Sequence, residues 1–261
     1  MSVSTEIDWK AIFDITQQAG EKILAIYHDT SYVVEHKKDN SPLTLADQES
    51  HNIIMSGLKE LYPFIPILSE EGKDIPYEER KEWSKFWLVD PLDGTKEFIN
   101  RNGEFTVNIA LIVNGEAEAG VIYAPVTGIY YFGHKLYKQA FSFTKWENRA
   151  DLKTKPKDQK KAIIVESRSH PSPELEVFTK GLDNSYNNIE RIRRGSSLKF
   201  CAVAAGEADY YPRFGPTMEW DTAAGQAIVE AAGGVVETPS GRRLSYNKEC
   251  LRNGFFIAKR L

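Results

Sequence analysis

The chain has 261 residues and a formal net charge of −4, and both numbers limit what kind of protein it is. Hydrophobic residues make up 41% of it and charged residues 27%, which is typical of a folded globular protein with a sizeable core. A negative net charge argues against binding to a nucleic-acid polymer, because neutralising a phosphate backbone needs a basic surface. It does not argue against a small phosphorylated ligand, since bound cations supply positive charge locally.

The cysteines and the N-terminal segment favour a cytoplasmic location. Cys201 and Cys250 form neither a CxxC pair nor a zinc-ligand spacing, so we expect two reduced thiols packed as small hydrophobic groups. The first ten residues carry acids where a signal peptide needs bases and an apolar run. No stretch approaches the roughly 20 apolar residues of a transmembrane helix. Loose association with the inner membrane surface and the oligomeric state both stay open.

The N-terminal third predicts two helices. Apolar residues at spacings of three and four predict an amphipathic helix over 7–27 and a second helix over 46–61. Between them we predict a short strand over 32–35 and a polar turn over 37–44.

Two apolar runs follow, and each ends in acidic residues. They are IPILSEE at 65–71 and FWLVD at 86–90, the pattern of buried strands that deliver carboxylates at their carboxyl ends. The segment 105–125 then predicts a hairpin whose turn is built on Asn114-Gly115.

The second half alternates between strand and helix patterns. The lysine-rich segment 145–161 is the best candidate for a boundary between an N-terminal lobe of about 1–150 and a C-terminal lobe of about 155–261, although a solvated loop explains its charges equally well. Beyond it we predict strands at AIIVES, IERIR and ADYYPRF, and helices from about Ser172, at SSLKFCAVAAG and at DTAAGQAIVEAAGG. This intermixing implies layered α and β structure.

The segment WLVDPLDGT, residues 87–95, carries the densest chemical signal. Asp90 ends a predicted strand, and Pro91 cannot continue a central strand, so we predict a turn there. In that turn Asp90 and Asp93 can converge with the carbonyl of Leu92. Such hard oxygen ligands are those that Mg²⁺ prefers.

Three further groups of residues are candidates for a site around this turn. Gly94 and Thr95 would open a helix whose free N–H groups face an anion. Glu70 and its neighbour Glu71 approach the same sheet edge if the two strands are neighbours, and otherwise form a solvated strand end. Asp221 stands where a helix should begin, so it is either a metal ligand or an ordinary N-cap.

The strings LSEE, DPLDGT and WDTAAGQAIVEAAGG together resemble the inositol monophosphatase superfamily of metal-dependent, lithium-sensitive phosphatases. Longer strings are most similar to the bacterial 3′(2′),5′-bisphosphate nucleotidases of the CysQ type: NSPLTLAD, IPILSEE, FWLVDPLDGTKEFINRNGEFTVNIALI, GVIYAPV, SRSH, GSSLKFC and ADYYPRFGPTMEWDTAAG. The resemblance runs from the first helix nearly to the C-terminus. It implies an α+β fold, a layered α/β/α/β/α sandwich of two lobes with the site between them.

The resemblance also implies a set of metal ligands for two or three Mg²⁺ ions. One ion would bind Glu70, Asp90 and the Leu92 carbonyl, and a second would bind Asp90, Asp93 and Asp221. Four carboxylates about 5 Å apart repel one another by on the order of 20 kcal/mol at an effective dielectric of about 20, which exceeds the net stability of a typical domain. If these acids converge, they need cations or protons.

By the same resemblance, Asp47 would pair with Thr95 to orient and help deprotonate the attacking water, with Glu70 also catalytic. Gly94 and Thr95 would contact the scissile phosphate, and the other substrate-binding residues beside them would be Glu70, Leu92, Asp93 and Asp221. The implied reaction is a direct in-line displacement by metal-activated water, without a cysteine or histidine nucleophile.

The similarity to nucleotidases implies a substrate such as 3′-phosphoadenosine 5′-phosphate, hydrolysed to AMP and phosphate after sulfate activation. Its second phosphate and base need donors away from the metals, and the candidates are Ser169, His170, Ser196, Lys199 and Arg213. From the residues alone, Ser196 is equally a helix cap, Lys199 a solvated lysine and His170 a loop histidine.

Three rival functions are open at this point. A sister phosphatase would act on inositol monophosphate or fructose 1,6-bisphosphate. A non-catalytic protein would only bind a phosphorylated ligand, although it would be free to lose some of the acids that this chain retains. A calcium-binding module needs a loop of alternating oxygen ligands, which the sequence lacks.

Overall fold

The computed structural model describes residues 6–28, 34–36, 42–144, 147–154, 160–168, 172–182 and 185–261. Within these ranges the chain forms seven helices and sixteen strands. The helices are α1 (Trp9–His28), α2 (Leu45–Leu61), α3 (Tyr77–Arg80), α4 (Thr95–Ile99), α5 (Pro173–Leu182), α6 (Leu198–Ala204) and α7 (Glu219–Ala231). The strands are β1 (Val34–His36), β2 (Pro42–Thr44), β3 (Ile67–Ser69), β4 (Lys85–Asp93), β5 (Thr106–Val113), β6 (Glu116–Ala124), β7 (Ile129–His134), β8 (Gln139–Thr144), β9 (Glu147–Asp151), β10 (Lys161–Ser167), β11 (Asn188–Arg194), β12 (Tyr210–Arg213), β13 (Thr217–Met218), β14 (Gly234–Glu237), β15 (Arg252–Asn253) and β16 (Phe256–Arg260).

The larger sheet has seven strands in the order β3-β4-β5-β6-β7-β8-β9, and its strands β4 and β5 are buried on both faces. Only its β3–β4 pair is parallel. Successive residues of β4 point to opposite faces: Trp87 packs in the core formed with α1 and α2, whereas Phe86 and Leu88 pack in the core formed with α6 and α7. This double burial explains why the strand reads as a continuous apolar run.

The smaller sheet has five strands in the order β11-β10-β12-β16-β14. Neighbouring tyrosines of β12 show what covers its two faces: Tyr211 contacts Phe200 of α6, and Tyr210 contacts Phe178 of α5. The helices α6 and α7 therefore lie between the two sheets, with α1 and α2 outside the larger sheet and α5 outside the smaller one. The layers run α/β/α/β/α, which confirms the predicted α+β sandwich.

The sequence predicted most elements of this fold, but two details were wrong. β4 continues through Pro91 to Asp93 instead of turning, with a register irregularity between Asp90 and Asp93. Proline is tolerated at such a bulge because the ladder hydrogen bond is already interrupted there. Residues 42–44, predicted as part of a turn, form β2 and pair with β1.

Two other predictions concerned the cysteines and the boundary between two lobes. Both cysteines are free, as predicted; Cys201 is buried, but Cys250 is exposed and not packed in the core. The larger sheet ends at Asp151 and the smaller one begins at Lys161, while the division of the chain into two lobes stays a prediction.

Candidate metal centre and active site

Three carboxylates from distant parts of the chain meet at one edge of the larger sheet. Glu70 directly follows β3, Asp90 lies in β4, and Asp221 lies in the first turn of α7. One oxygen of each lies within 4.8 Å of the oxygens of the other two. The structure thus brings together three of the predicted ligands, whose role in binding a metal stays a prediction.

Parallel pairing of β3 and β4 explains how two of these acids meet. Ser69 is in register with Val89, and the Glu70 backbone N–H donates to the Val89 carbonyl at 3.1 Å. Glu70 and Asp90 therefore emerge side by side. The bulge at Asp90 is held by a bond from the Leu92 backbone N–H to Asp90 Oδ1, 3.1 Å long.

The negative charges of this cluster raise the pKa values of its members. Burial raises the pKa of Asp90 well above its ordinary value, and so do neighbouring negative charges, in decreasing order those of Glu70, Asp93, Asp221 and Asp47. The pKa of Asp221 is raised in the same way by burial and by Asp93 and Glu70. Buried carboxylates that repel one another this strongly, with only hard oxygen donors, fit a divalent cation such as Mg²⁺.

Asp221 serves the helix as well as the cluster. It is the third residue of α7, not its N-cap, and its Oδ2 accepts a hydrogen bond of 2.8 Å from the Met218 backbone N–H. The alternative interpretation as an N-cap is therefore wrong in position, although the side chain does bond the helix N-terminus.

Asp93 ends β4 and lines a cavity beside the three-carboxylate cluster. Burial raises its pKa, opposed by the positive charge of Lys199 and by a hydrogen bond from the Ser197 backbone N–H. Its negative charge acts on both Asp90 and Asp221. The Leu92 side chain packs in the core under α1 and α2, and the role of its carbonyl as a ligand stays a prediction.

Asp47 and Thr95, the predicted catalytic pair, belong to two different helices. Asp47 is buried in the first turn of α2, and its charge acts on Asp90. Thr95 begins α4 directly after Gly94, whose φ of 94° requires glycine. Thr95 and Gly94 both line the cavity. The pairing of Asp47 with Thr95 stays a prediction.

The cavity has a volume of about 370 Å³, large enough for a small metabolite. Of the sequence-predicted residues it is lined by Glu70, Asp93, Gly94, Thr95, Asp221, Ser196, Lys199 and Arg213. The cavity lining therefore combines acidic side chains with the cations of Lys199 and Arg213. Ser169 and His170 lie outside the described residues.

Lys199 is not a solvated lysine, because only 4% of it is exposed. Its Nζ donates to the Ser196 carbonyl, and burial lowers its pKa to about 8, against the opposing charge of Asp93. Ser196 is not a helix cap either: Ser197 occupies the N-cap of α6, while Ser196 has a φ of 43° and its Oγ lies 3.0 Å from Thr106 Oγ1.

Sequence reasoning missed two polar residues of β5. Thr106 stands opposite Asp93 and Asn108 opposite Asp90 in the strand register. Ser197 Oγ joins them, at 2.7 Å from Thr106 Oγ1 and 2.8 Å from Asn108 Oδ1. Their spacing of two within a buried apolar strand is the signal that could have placed both on the polar side of the site.

Comparison with known proteins decides the family. The family model described as the inositol monophosphatase family matches residues 7–259. The chain belongs to this family. Among curated members it is 44% identical over 253 residues to the 3′(2′),5′-bisphosphate nucleotidase CysQ of Escherichia coli (strain K12), a match that covers 95% of this chain and 98% of that one.

Solved structures of the inositol monophosphatase family show the same fold. CysQ from Bacteroides thetaiotaomicron superposes with a TM-score of 0.84 at 44% identity, covering 96% of both chains. The extragenic suppressor protein SuhB from Bartonella henselae superposes with a TM-score of 0.74 at 25% identity, covering 97% of this chain and 93% of that one. Among the residues that the structure describes, no helix is both long and apolar enough to span a bilayer.

Proposed function

We propose that this chain is a Mg²⁺-dependent 3′(2′),5′-bisphosphate nucleotidase that hydrolyses 3′-phosphoadenosine 5′-phosphate to AMP and phosphate. The observation that carries the proposal is the meeting of Glu70, Asp90 and Asp221 beside a cavity that Lys199 and Arg213 also line. Similarity to the CysQ nucleotidases over nearly the whole chain supports the choice of substrate.

The carboxylates are the groups that would hold magnesium, with Glu70, Asp90 and Asp221 at the centre and Asp93 beside them. When bound, the ions supply an activated water and stabilise the negative charge of the phosphoryl group. An occupancy of two or three ions stays a prediction.

The remaining residues of the site would bind and orient the substrate, and one of them would take up a proton. Asp47 would accept the proton of the attacking water through Thr95, and the positive φ of Gly94 would let the backbone before α4 approach the phosphate. Lys199 and Arg213 would bind the second phosphate, because each brings a cation to the cavity.

A phosphatase for inositol monophosphate or fructose 1,6-bisphosphate is the alternative within the same family, and a protein that only binds its ligand is a remote one. The two cations that line the cavity, Lys199 and Arg213, favour a substrate with two separated anionic groups over inositol monophosphate. A cytoplasmic location stays a prediction.

Phosphate release should be measured with 3′-phosphoadenosine 5′-phosphate, inositol 1-phosphate and fructose 1,6-bisphosphate, in Mg²⁺ and in EDTA. We expect the highest kcat/KM on the nucleotide, no turnover in EDTA, and no turnover by a folded Asp93→Asn variant. A higher kcat/KM on either other substrate would reassign the enzyme, and full activity of Asp93→Asn would reject the site.

A further inference from the structure

Glu219, the first residue of α7, is a fully buried carboxylate two positions before Asp221. Its Oε2 accepts a bond from the Asn247 backbone N–H at 2.6 Å, and its Oε1 accepts bonds from Lys248, at 3.0 Å from the backbone N–H and 2.6 Å from Nζ. The Glu219 backbone N–H itself donates to the Leu251 carbonyl at 2.9 Å. The helix N-terminus is thus bound to the loop before β15 by main chain and side chain together.

Lys248 extends these bonds to both sides of Asp221. Its Nζ also donates to the Ser245 carbonyl at 3.0 Å and to Asn253 Oδ1 at 3.1 Å, so all three of its protons are used. Asn253 Nδ2 in turn donates to the Met218 carbonyl at 2.9 Å and to Thr222 Oγ1 at 3.0 Å. The network therefore holds the chain before and after the aspartate.

Arg80 joins the same loop to the segment that follows Glu70. This buried side chain ends α3, and it donates to Asn247 Oδ1 at 2.9 Å, to the Lys248 carbonyl at 2.6 Å and to the Glu249 carbonyl at 2.9 Å. Asn247 Nδ2 returns a bond of 2.6 Å to the Arg80 carbonyl. The loop therefore bridges α7, which carries Asp221, and α3, which follows Glu70 along the chain.

We propose that the Glu219–Lys248 ion pair and Arg80 are positioning residues that hold Asp221 at ligand distance from Glu70. The inference rests on the proposed metal site. Glu219 is fully buried and Lys248 is partly exposed, and such an ion pair adds little to stability compared with apolar side chains of similar size. We therefore assign it an effect on position. Because the acids repel one another, a rigid connection between their segments keeps the site assembled before an ion binds.

The test replaces the ion pair by apolar side chains and measures metal binding directly. The variant is Glu219→Met/Lys248→Met, and the matched control is Glu230→Met/Lys135→Met, which removes a buried ion pair of 3.1 Å at the other end of α7. Calorimetric titration with Mn²⁺ gives the dissociation constant, and melting in EDTA gives the stability. We expect the dissociation constant to rise by about tenfold or more in the first variant and to stay unchanged in the control.

An unchanged Mn²⁺ dissociation constant in the Glu219→Met/Lys248→Met variant would overturn the inference, whatever its melting temperature. Failure of the unsubstituted protein to bind Mn²⁺ would instead reject the proposed metal site itself. If the double variant does not fold, Arg80→Lys decides: it keeps the charge but loses the forked bonds to the loop, and we expect weaker Mn²⁺ binding by a folded protein. Unweakened binding by Arg80→Lys would overturn the inference equally.

Discussion

Gly120 in β6 lies directly against Ala224 in α7, so that a Cβ on the glycine would lie 2.6 Å from the Ala224 Cα. Its register partner in β7, Gly133, lies in the same way against Ile228, at 2.4 Å. The helix that carries Asp221 therefore rests on the bare backbone of the sheet that carries the other acids. We therefore expect the distance across the candidate metal centre to depend on these two glycines.

The substitution Gly120→Ala should displace α7 from the sheet. We expect a loss of about 1–3 kcal/mol in the free energy of unfolding, the usual cost of overpacking a core, together with weaker Mn²⁺ binding. Denaturant unfolding and calorimetric titration measure the two effects. Gly254→Ala is the control, since Gly254 is exposed and no atom lies within 4 Å of its Cβ position. Equal metal affinity in both variants would contradict the role assigned to the close contact.

The substitution Asp90→Asn should stabilise the metal-free protein, increasingly so as the pH rises. The raised pKa of Asp90 means that the folded state keeps a proton above about pH 4, where the unfolded chain has lost it. Stability is then lost as the pH rises through the folded-state pKa, because a buried charge appears. Asparagine cannot ionise, and its Oδ1 can still accept the bond from the Leu92 N–H.

Thermal melting from about pH 5 to about pH 8 tests this prediction in EDTA and in Mg²⁺. In EDTA the melting temperature of Asp90→Asn should exceed that of the unsubstituted protein by a margin that widens with pH. In Mg²⁺ the order should reverse, because only the unsubstituted protein gains from the ion. Asp74→Asn, at an exposed acid, is the control and should show no such margin. A margin that does not depend on pH would count against the buried-charge explanation.

Lys199 should make substrate affinity depend on pH. Because burial lowers its pKa to about 8, the cation disappears as the pH rises through that value. We expect KM for 3′-phosphoadenosine 5′-phosphate to increase over this range, and Lys199→Met to raise KM by at least about tenfold below it, the effect of one charged hydrogen bond. The variant should also lose the pH dependence, whereas Lys96→Met, at an exposed lysine of the same cavity, should retain it. A pH profile shared by all three proteins would exclude this role.

The meeting of Glu70 and Asp90 could be predicted from the sequence, because parallel neighbouring strands end at the same edge and both strands read as apolar runs. The path of β4 beyond Asp90 could not. A proline excludes a regular central strand but not a bulge, and only pairing with β5 selects between the two.

Other residues in and around the site also show what the sequence could not predict. Sequence patterns could not distinguish a buried Lys199 from a solvated one, because burial comes from α6 packing between two sheets formed by distant segments. The hydrogen bonds of Glu219 could not be predicted from the sequence either, because their partners in the loop before β15 are remote along the chain. The positions of Thr106 and Asn108, by contrast, could have been predicted, because polar residues two apart in a buried strand lie on the same face.

Anomalous diffraction from a crystal grown with Mn²⁺ tests the central claim most directly, because it locates bound metal without reference to activity. We expect an anomalous peak at the Mn absorption edge bounded by the carboxylate oxygens of Glu70, Asp90 and Asp221. The absence of a peak among these three residues, at a Mn²⁺ concentration that supports full turnover, would contradict the proposed metal site.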